Sequence, residues 1–420
     1  MNSSITVRRN GLQRLLVNVP GPVATISIAQ LFGTALWFSA NSTAGDLMRI
    51  WHASAADIGW LTNAVQLGFI LGTLTISLSG AADRCRASTI FVYAAIVGAT
   101  FNVCFAWLAT GLVSGAIFRF GVGLCLAGIY PMGMKLIVGW APERTGQALA
   151  QLVAMLTLGT ALPHAMRVMG AGVRWQLIIT ASSVLALIGA ALIGALGDGP
   201  HARTRSQTTI ATRTTKALSP SVLCAFRLRP FRAATLGYFG HMWELYSFWT
   251  AVPLLVAHTS LASHFPGLGV SGISFCVIGV GAVGSLTGGV LSRYIGSAKV
   301  AAGALCMSGL CGLMFAIGWR YLPMEAIAVL LILWGASVVA DSPQFSALAA
   351  KACPPGLVGS ALAIQNSIGF AITVLSIAAT TSLFELVGLD ATWLLIPGPV
   401  LGLFGFISTS QSDASRRSSK

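Results

Sequence analysis

Residues 174–196 read RWQLIITASSVLALIGAALIGAL, and residues 197–230 continue GDGPHARTRSQTTIATRTTKALSPSVLCAFRLRP. The contrast between these two parts decides the fold. Between Arg174 and Asp198 no side chain is charged. At 1.5 Å per residue such a stretch crosses a hydrocarbon core about 30 Å thick. Backbone groups in hydrocarbon must bond to one another, so the stretch is expected to be a helix. The second part is rich in Thr, Arg, Ser and Pro and has no apolar periodicity, as a polar linker does.

Working outward, the same kind of apolar stretch recurs on both sides. Twelve spans are expected, at about 20–43, 57–79, 89–109, 112–135, 146–167, 174–196, 231–257, 269–291, 298–319, 322–343, 357–382 and 391–410. Only 9% of the 420 residues are charged, against about a quarter in a soluble domain. Mean hydropathy is +0.80. The first span is too long for a signal-peptide core and reads as a retained helix.

Lys and Arg set the expected orientation. Of the 25, four (Arg49, Arg167, Arg174 and Arg320) fall in loops on one side, and Arg119 lies within a span. The other twenty lie in the termini, the linker and the loops of the opposite side. That split predicts both termini cytoplasmic in a multi-pass membrane protein. It also accounts for the net charge of +14 without a nucleic-acid surface, since the cations line one face of a bilayer. The eight cysteines have no zinc-finger spacing and no evident disulfide partner, and read as small apolar packing residues. No metal or cofactor is expected.

The two halves echo one another. Gly72-Thr73-Leu74-Thr75 in span 2 matches Gly284-Ser285-Leu286-Thr287 in span 8, 212 residues on. Tyr130-Pro131 with Pro142, Gly146 and Ala148-Leu149-Ala150 matches Ser342-Pro343 with Pro354, Gly359 and Ala361-Leu362-Ala363. The offset there is 212 at the prolines and 213 after one inserted residue. The expected organisation is a six-helix bundle at 1–196, a cytoplasmic linker at 197–230 and a second six-helix bundle with a short tail at 231–420. Duplicated six-helix halves around a central site are a transporter architecture.

On these features the chain resembles the major facilitator superfamily. The loop after span 2 carries part of the likeness. The family pattern Gly-x-x-x-Asp-Arg-x-Gly-Arg is met by Ser79-Gly80-Ala81-Ala82-Asp83-Arg84-Cys85-Arg86. Asp83 and Arg84 match, the first glycine is displaced by one, and Arg86 replaces the second. The resemblance implies that Asp83 and Arg84 form a gating loop that biases the outward-facing state. In the second copy, Gly289-Val290-Leu291-Ser292-Arg293-Tyr294-Ile295-Gly296, Arg293 stands where the acid would be. Three more stretches are similar to poorly characterised bacterial permeases of the superfamily: Leu36-Trp37-Phe38-Ser39-Ala40-Asn41, Gly128-Ile129-Tyr130-Pro131-Met132-Gly133-Met134-Lys135 and Gly240-His241-Met242-Trp243-Glu244-Leu245-Tyr246. The resemblance implies an all-α membrane protein of twelve transmembrane helices in two pseudo-symmetric six-helix bundles. It also implies a central cavity lined by helices 1, 4, 7 and 10. Span 5 lacks the Gly-Pro-rich antiporter signature, having Gly159 and Pro163-His164, and spans 2 and 8 lack the arginines of nitrate exchangers.

A charge at the bilayer centre costs about 2.5–3.5 kcal/mol on insertion scales, so such residues normally face a bundle interior or a cavity. Glu244 lies near the middle of span 7 with His241 one turn before it on the same face. A carboxyl beside an imidazole can take and release a proton, so these two are the proton-coupling candidates; a structural ion pair is the competing reading. Arg119 is 11 residues before Tyr130, on nearly the same face of span 4. Its charge needs a carboxylate, carbonyls, water or an anionic solute. Arg119 and Tyr130, with Gln30, Trp37 and Asn41 on one face of span 1 and Trp334 in span 10, are the substrate-binding candidates. Asp341, Gln365 and Asn366 are secondary.

The expected function is a secondary active transporter that moves a small solute, polar or anionic, by alternating access with protons. A gradient-independent facilitator or an exporter of the same fold is the alternative, and a transporter-like membrane sensor is one of another class. An enzyme is not expected, for no HExxH and no Walker loop occurs.

Overall fold

The computed structural model describes residues 11–170, 172–201, 224–354 and 357–417. These residues are overwhelmingly helical, with no strand among them. Numbering the membrane helices alone, α1 is Pro22–Thr34, α2 Ala55–Leu78, α3 Ala87–Leu108, α4 Leu112–Trp140, α5 Thr145–Met169 and α6 Trp175–Leu196. The second set is α7 Arg229–His258, α8 Gly269–Ile295, α9 Ser297–Gly318, α10 Met324–Ala352, α11 Val358–Val387 and α12 Pro397–Arg417. Among the described residues nine helical stretches are long and apolar enough to cross a membrane, and one of these, Ala361–Thr409, holds most of α11 and α12. The two others are α1, which is short, and α7, whose hydropathy is diluted by His241, Glu244 and several tryptophans and tyrosines.

The helix ends follow local chemistry. α2 starts on a capping box: Asp57 N–H donates to Ser54 Oγ (3.2 Å) and Ser54 N–H to Asp57 Oδ2 (2.9 Å), satisfying donors the first turn leaves free. α10 turns at Asp341, between Met324–Ala340 and Ser342–Ala352. Pro343 sits at the start of the second segment, where it sacrifices no helix bond.

Several expected boundaries move. Span 1 is not one helix: residues 35–40 are turns, Asn41–Thr43 is a 3-10 turn, and Ala44–Ile50 resumes the helix. α4 runs through Pro131 to Trp140. α12 is displaced toward the C-terminus because Gly388–Leu395 forms a 3-10 segment before it. Most of the expected linker, 202–223, lies outside the described residues; its last part forms the short helix Cys224–Arg227.

The repeat is visible atom by atom. A Cβ on Gly72 would come 2.7 Å from Leu124 O, and one on Gly123 2.0 Å from Val65 O, where α2 meets α4. In α8 and α10, Gly284 stands 1.9 Å from Ala336 O and Gly335 1.8 Å from Val277 O by the same measure. Each of these residues and its counterpart are 212 apart. Glycine lets the two backbones touch, which is how helices associate where no hydrophobic force drives them together.

The halves meet along two seams, α2 with α11 and α5 with α8. On the side away from the basic loops, Ala56 N–H donates to Glu385 Oε1 (2.7 Å) and Asn63 Nδ2 to Val374 O (3.0 Å). In the other seam, Ser285 Oγ donates to Ala150 O (3.4 Å).

Candidate functional site

Three groups of polar and aromatic residues stand out inside the bundle; His164 of α5 is buried as well, its Nε2 without a partner. The first lies in the N-terminal half. Unwinding after Thr34 leaves main-chain carbonyls without helical partners, and Arg119 fills that need. Its Nη1 donates to Leu36 O (3.0 Å), Ser39 Oγ (3.1 Å) and Asn102 Oδ1 (3.1 Å), and its Nη2 donates to Trp37 O. Asn102 in turn donates to Ile179 O (3.1 Å) and Ser183 Oγ (3.0 Å) on α6. The guanidinium is fully buried and stands 5.7 Å from the Phe105 ring centroid. No ion pair among the described residues includes it. Arg119 therefore points into its own bundle, toward α1, α3 and α6. Tyr130, three turns further along α4, is half-buried.

The second group lies in the C-terminal half. Trp334 Nε1 donates to Glu244 Oε1 (2.7 Å), and Ser308 Oγ to Glu244 Oε2 (2.8 Å). Trp334 is held by stacking on Phe248, with centroids 4.4 Å apart. One turn along α7, His241 Nδ1 lies 2.8 Å from Asp341 Oδ1, and both side chains are completely buried. The separation is that of an ion pair, although neither atom meets hydrogen-bond geometry, and His241 Nε2 and Asp341 Oδ2 also lack partners. Ser308 escapes sequence reading, because a serine in an apolar span is ordinary.

The third group lies between the halves. Trp37 and Phe38 of the unwound segment, Phe69 of α2, Tyr246 and Trp249 of α7 and Phe370 of α11 form one aromatic cluster. Ring centroids are 5.0 Å for Trp37–Phe69, 5.6 Å for Trp37–Tyr246, 4.4 Å for Phe69–Phe370 and 5.3 Å for Tyr246–Trp249. Trp37 and Trp249 are again 212 apart. Both are buried, and both indole N–H groups lack a partner. So do both amide atoms of Gln30 and of Gln66 and the Nε2 of Gln365, whose Oε1 accepts from Thr235 (3.2 Å). Asn41 Nδ2 donates to Thr62 Oγ1 (2.9 Å) and fastens the unwound segment to α2. Asn366 is half-buried on α11.

At the basic side, the loop after α2 is tied down from outside itself. Lys135 Nζ donates to Ala82 O, and Arg86 Nε pairs with Asp198 Oδ2 at 3.0 Å. Arg84 is exposed; the Asp83 side chain lies outside the described residues. At the opposite side, Asp390 accepts from both ends of the Arg320 guanidinium (2.9 and 2.5 Å) and from Trp319 Nε1 (3.1 Å). These bonds, Arg320 first, hold its carboxyl below the usual carboxylate range.

The family model for the Major Facilitator Superfamily matches residues 26–377. No curated protein gives a sequence match. Among solved structures, a mutant of the nucleoside transporter NupG superposes with a TM-score of 0.67 at 14% identity, covering 93% of this chain and 100% of that one. A bacterial homologue of the human lysosomal transporter Spinster, inward-facing and unoccupied, gives 0.67 at 14% identity, with 95% and 96% covered. A D-xylose–proton symporter gives 0.66 at 14%, with 92% and 96% covered. At that identity the three share the fold.

Proposed function

The chain belongs to the major facilitator superfamily, and on that premise we propose that it is a proton-coupled secondary transporter of a small, polar, uncharged solute. It sits in the bacterial inner membrane with both termini cytoplasmic, and its two bundles rock about a midplane site. The 1–196 and 231–420 bundles are the moving bodies, joined by the 197–230 linker. The loop at Asp83 and Arg84 controls closure of the basic side.

The observation that carries this reading is the pair of bonds at Glu244. As a carboxylate, Glu244 accepts from Trp334 and from Ser308. As an acid, Oε2–H donates to Ser308 Oγ, while the Ser308 hydroxyl swings to Leu305 O, 3.1 Å away. Both protonation states of Glu244 therefore find hydrogen-bond partners without moving a heavy atom. His241 and Asp341 continue the titratable path toward the basic side.

Trp37 and Trp249 bracket the solute at the seam, with unused indole N–H groups and aromatic faces. Gln30, Gln66 and Gln365 supply further hydrogen bonds. Both terminal nitrogens of Arg119 are committed inside its own bundle, to the Leu36 and Trp37 carbonyls, Ser39 and Asn102, and Nε alone lacks a partner, so it positions the Trp37 segment rather than an anionic group. Nucleosides and D-xylose, named for two of the structural neighbours, are ring compounds bearing hydroxyls, and the site suits that class.

The test is uptake of a panel of sugars and nucleosides into proteoliposomes, with and without an imposed proton gradient. The wild type accumulates its solute on the gradient. Glu244→Gln loses accumulation and retains counterflow exchange. Unchanged accumulation in that variant removes Glu244 from coupling. A facilitator remains the second reading because both Glu244 oxygens are bonded, as in a purely structural contact; gradient-independent uptake by the wild type selects it.

A further inference from the structure

A large groove lies away from the three polar and aromatic groups, on the outer surface of the second bundle. It has a volume of about 790 Å³ and runs between α8, α9 and α10. It uses the face of α10 that carries Leu333, Ala336, Ser337 and Ala340, not the face of Trp334 and Asp341. Small residues, Ala304 and the exposed Gly303 among them, leave it open along α9. A Cβ on Gly303 would meet nothing within 4 Å. Its walls are exposed apolar side chains, such as Val290 and Met307, each about half accessible. The hydroxyls that line it, Thr287 and Ser337, are turned back onto their own helices, donating to Val283 O (2.8 Å) and Leu333 O (2.8 Å). The interior therefore offers hydrocarbon surface and no free donor.

The basic-side end is different. Lys299 lines the groove there, exposed, with no acidic partner in any ion pair among the described residues. It stands in the first turn of α9, whose N-terminal amides add positive potential. Tyr294, highly exposed, marks the same level, where aromatic residues meet headgroups. An apolar trough ending in an unpaired cation has the polarity of one bilayer component: an acyl chain joined to a negative headgroup.

We propose that this groove is a binding site for an anionic phospholipid, with one acyl chain along α8, α9 and α10 and the phosphate at Lys299. Gly284 lines the groove, and the next residue of α8, Ser285, bonds Ala150 O across the α5–α8 seam. An occupant there braces α8 against the other half.

Native mass spectrometry of the purified full chain tests this. The protein is incubated with phosphatidylglycerol or with zwitterionic phosphatidylcholine of the same chains. Wild type is expected to retain more phosphatidylglycerol. Lys299→Gln is expected to lose that preference by about fivefold, the equivalent of roughly 1 kcal/mol per basic residue at a membrane surface. Gly303→Leu fills this part of the groove and is expected to lose both lipids. Lys351→Gln, on the same side but outside the groove, should bind as wild type does, and unchanged thermal unfolding confirms that the variants fold. Equal retention of the two lipids by wild type, or retention of the preference in Lys299→Gln or in Gly303→Leu, overturns the proposal.

Discussion

The two bundles share one backbone plan and bury opposite charges in opposite ways. In the first, a permanent cation, Arg119, is held by main-chain carbonyls that a break in α1 has exposed, together with Ser39 and Asn102. In the second, α7 stays helical throughout, and the buried charges are carboxyls and an imidazole held by side chains. A guanidinium does not give up its proton, so the first arrangement can brace but not titrate. The second can titrate. The frame is alike in the two halves, and the difference lies in which half has an unbroken first helix.

The largest expected effect follows from that division. Arg119→Met leaves Trp37 O without its donor and Leu36 O and Asn102 Oδ1 competing for the single Ser39 hydroxyl, so two buried acceptors go short at about 1–3 kcal/mol each. A loss of about 3 kcal/mol or more is expected, read as a large fall in thermal unfolding temperature and in yield of folded protein. Glu244→Gln keeps the Trp334 bond and the shape, and is expected to unfold close to wild type. If Arg119→Met folds normally and loses uptake alone, the guanidinium serves the solute and the contrast between the halves is wrong.

Next in size is a test of the symmetry itself. Gly123→Ala and Gly335→Ala each drive a methyl group into a carbonyl at equivalent places, Val65 O and Val277 O. Neither backbone can yield without separating two helices, and overpacking of this kind costs about 1–3 kcal/mol. Both variants should lose similar stability in the same unfolding assay. A large effect in one and none in the other would show that the halves pack by different rules.

These contacts also show what the sequence disclosed. The twelve spans are legible because lipid admits no other backbone solution, and the repeat is legible because close approach demands glycine at fixed positions. The break in α1 is not. Pro20–Thr43 contains no proline after Pro22, and its polar residues Ser39, Asn41 and Ser42 read equally well as a stripe on a continuous helix. What stabilises the break is Arg119, some eighty residues later in the chain. Glu244 and His241 stand out by composition, whereas their partners do not. Ser308 is anonymous in its span, and Asp341 pairs with His241 across a hundred residues. Residue type marked the candidates, and tertiary distance decided their contacts.

A smaller effect sharpens the second half alone. Ser308→Ala removes the hydroxyl that serves both protonation states of Glu244 while leaving the Trp334 bond. Loss of one hydrogen bond costs about 1 kcal/mol, so folding should be nearly unchanged. Gradient-driven uptake is expected to fall several-fold, with counterflow exchange much less affected. Equal losses in both assays would mean that Ser308 shapes the solute site and does not serve the proton.

The smallest effect separates the clamps on the side away from the basic loops. In the first half Asp46 holds Arg167 (2.5 Å) and Arg49 (2.7 Å); in the second Asp390 holds Arg320. Asp390 has its folded-state value lowered by those bonds, so its contribution is present above the ordinary aspartate range, about 3.9, and is lost as pH falls through the lower folded value. Between pH 8 and 5 the clamp should therefore contribute evenly, and Arg320→Gln should change unfolding little there because exposed pairs are screened by solvent and salt. Only under strong acid should wild type lose the small advantage it has over the variant. If Arg320→Gln instead alters the rate of uptake at neutral pH, the Asp390 clamp is part of the moving gate. The two clamps would then differ in function as the two buried charge groups do.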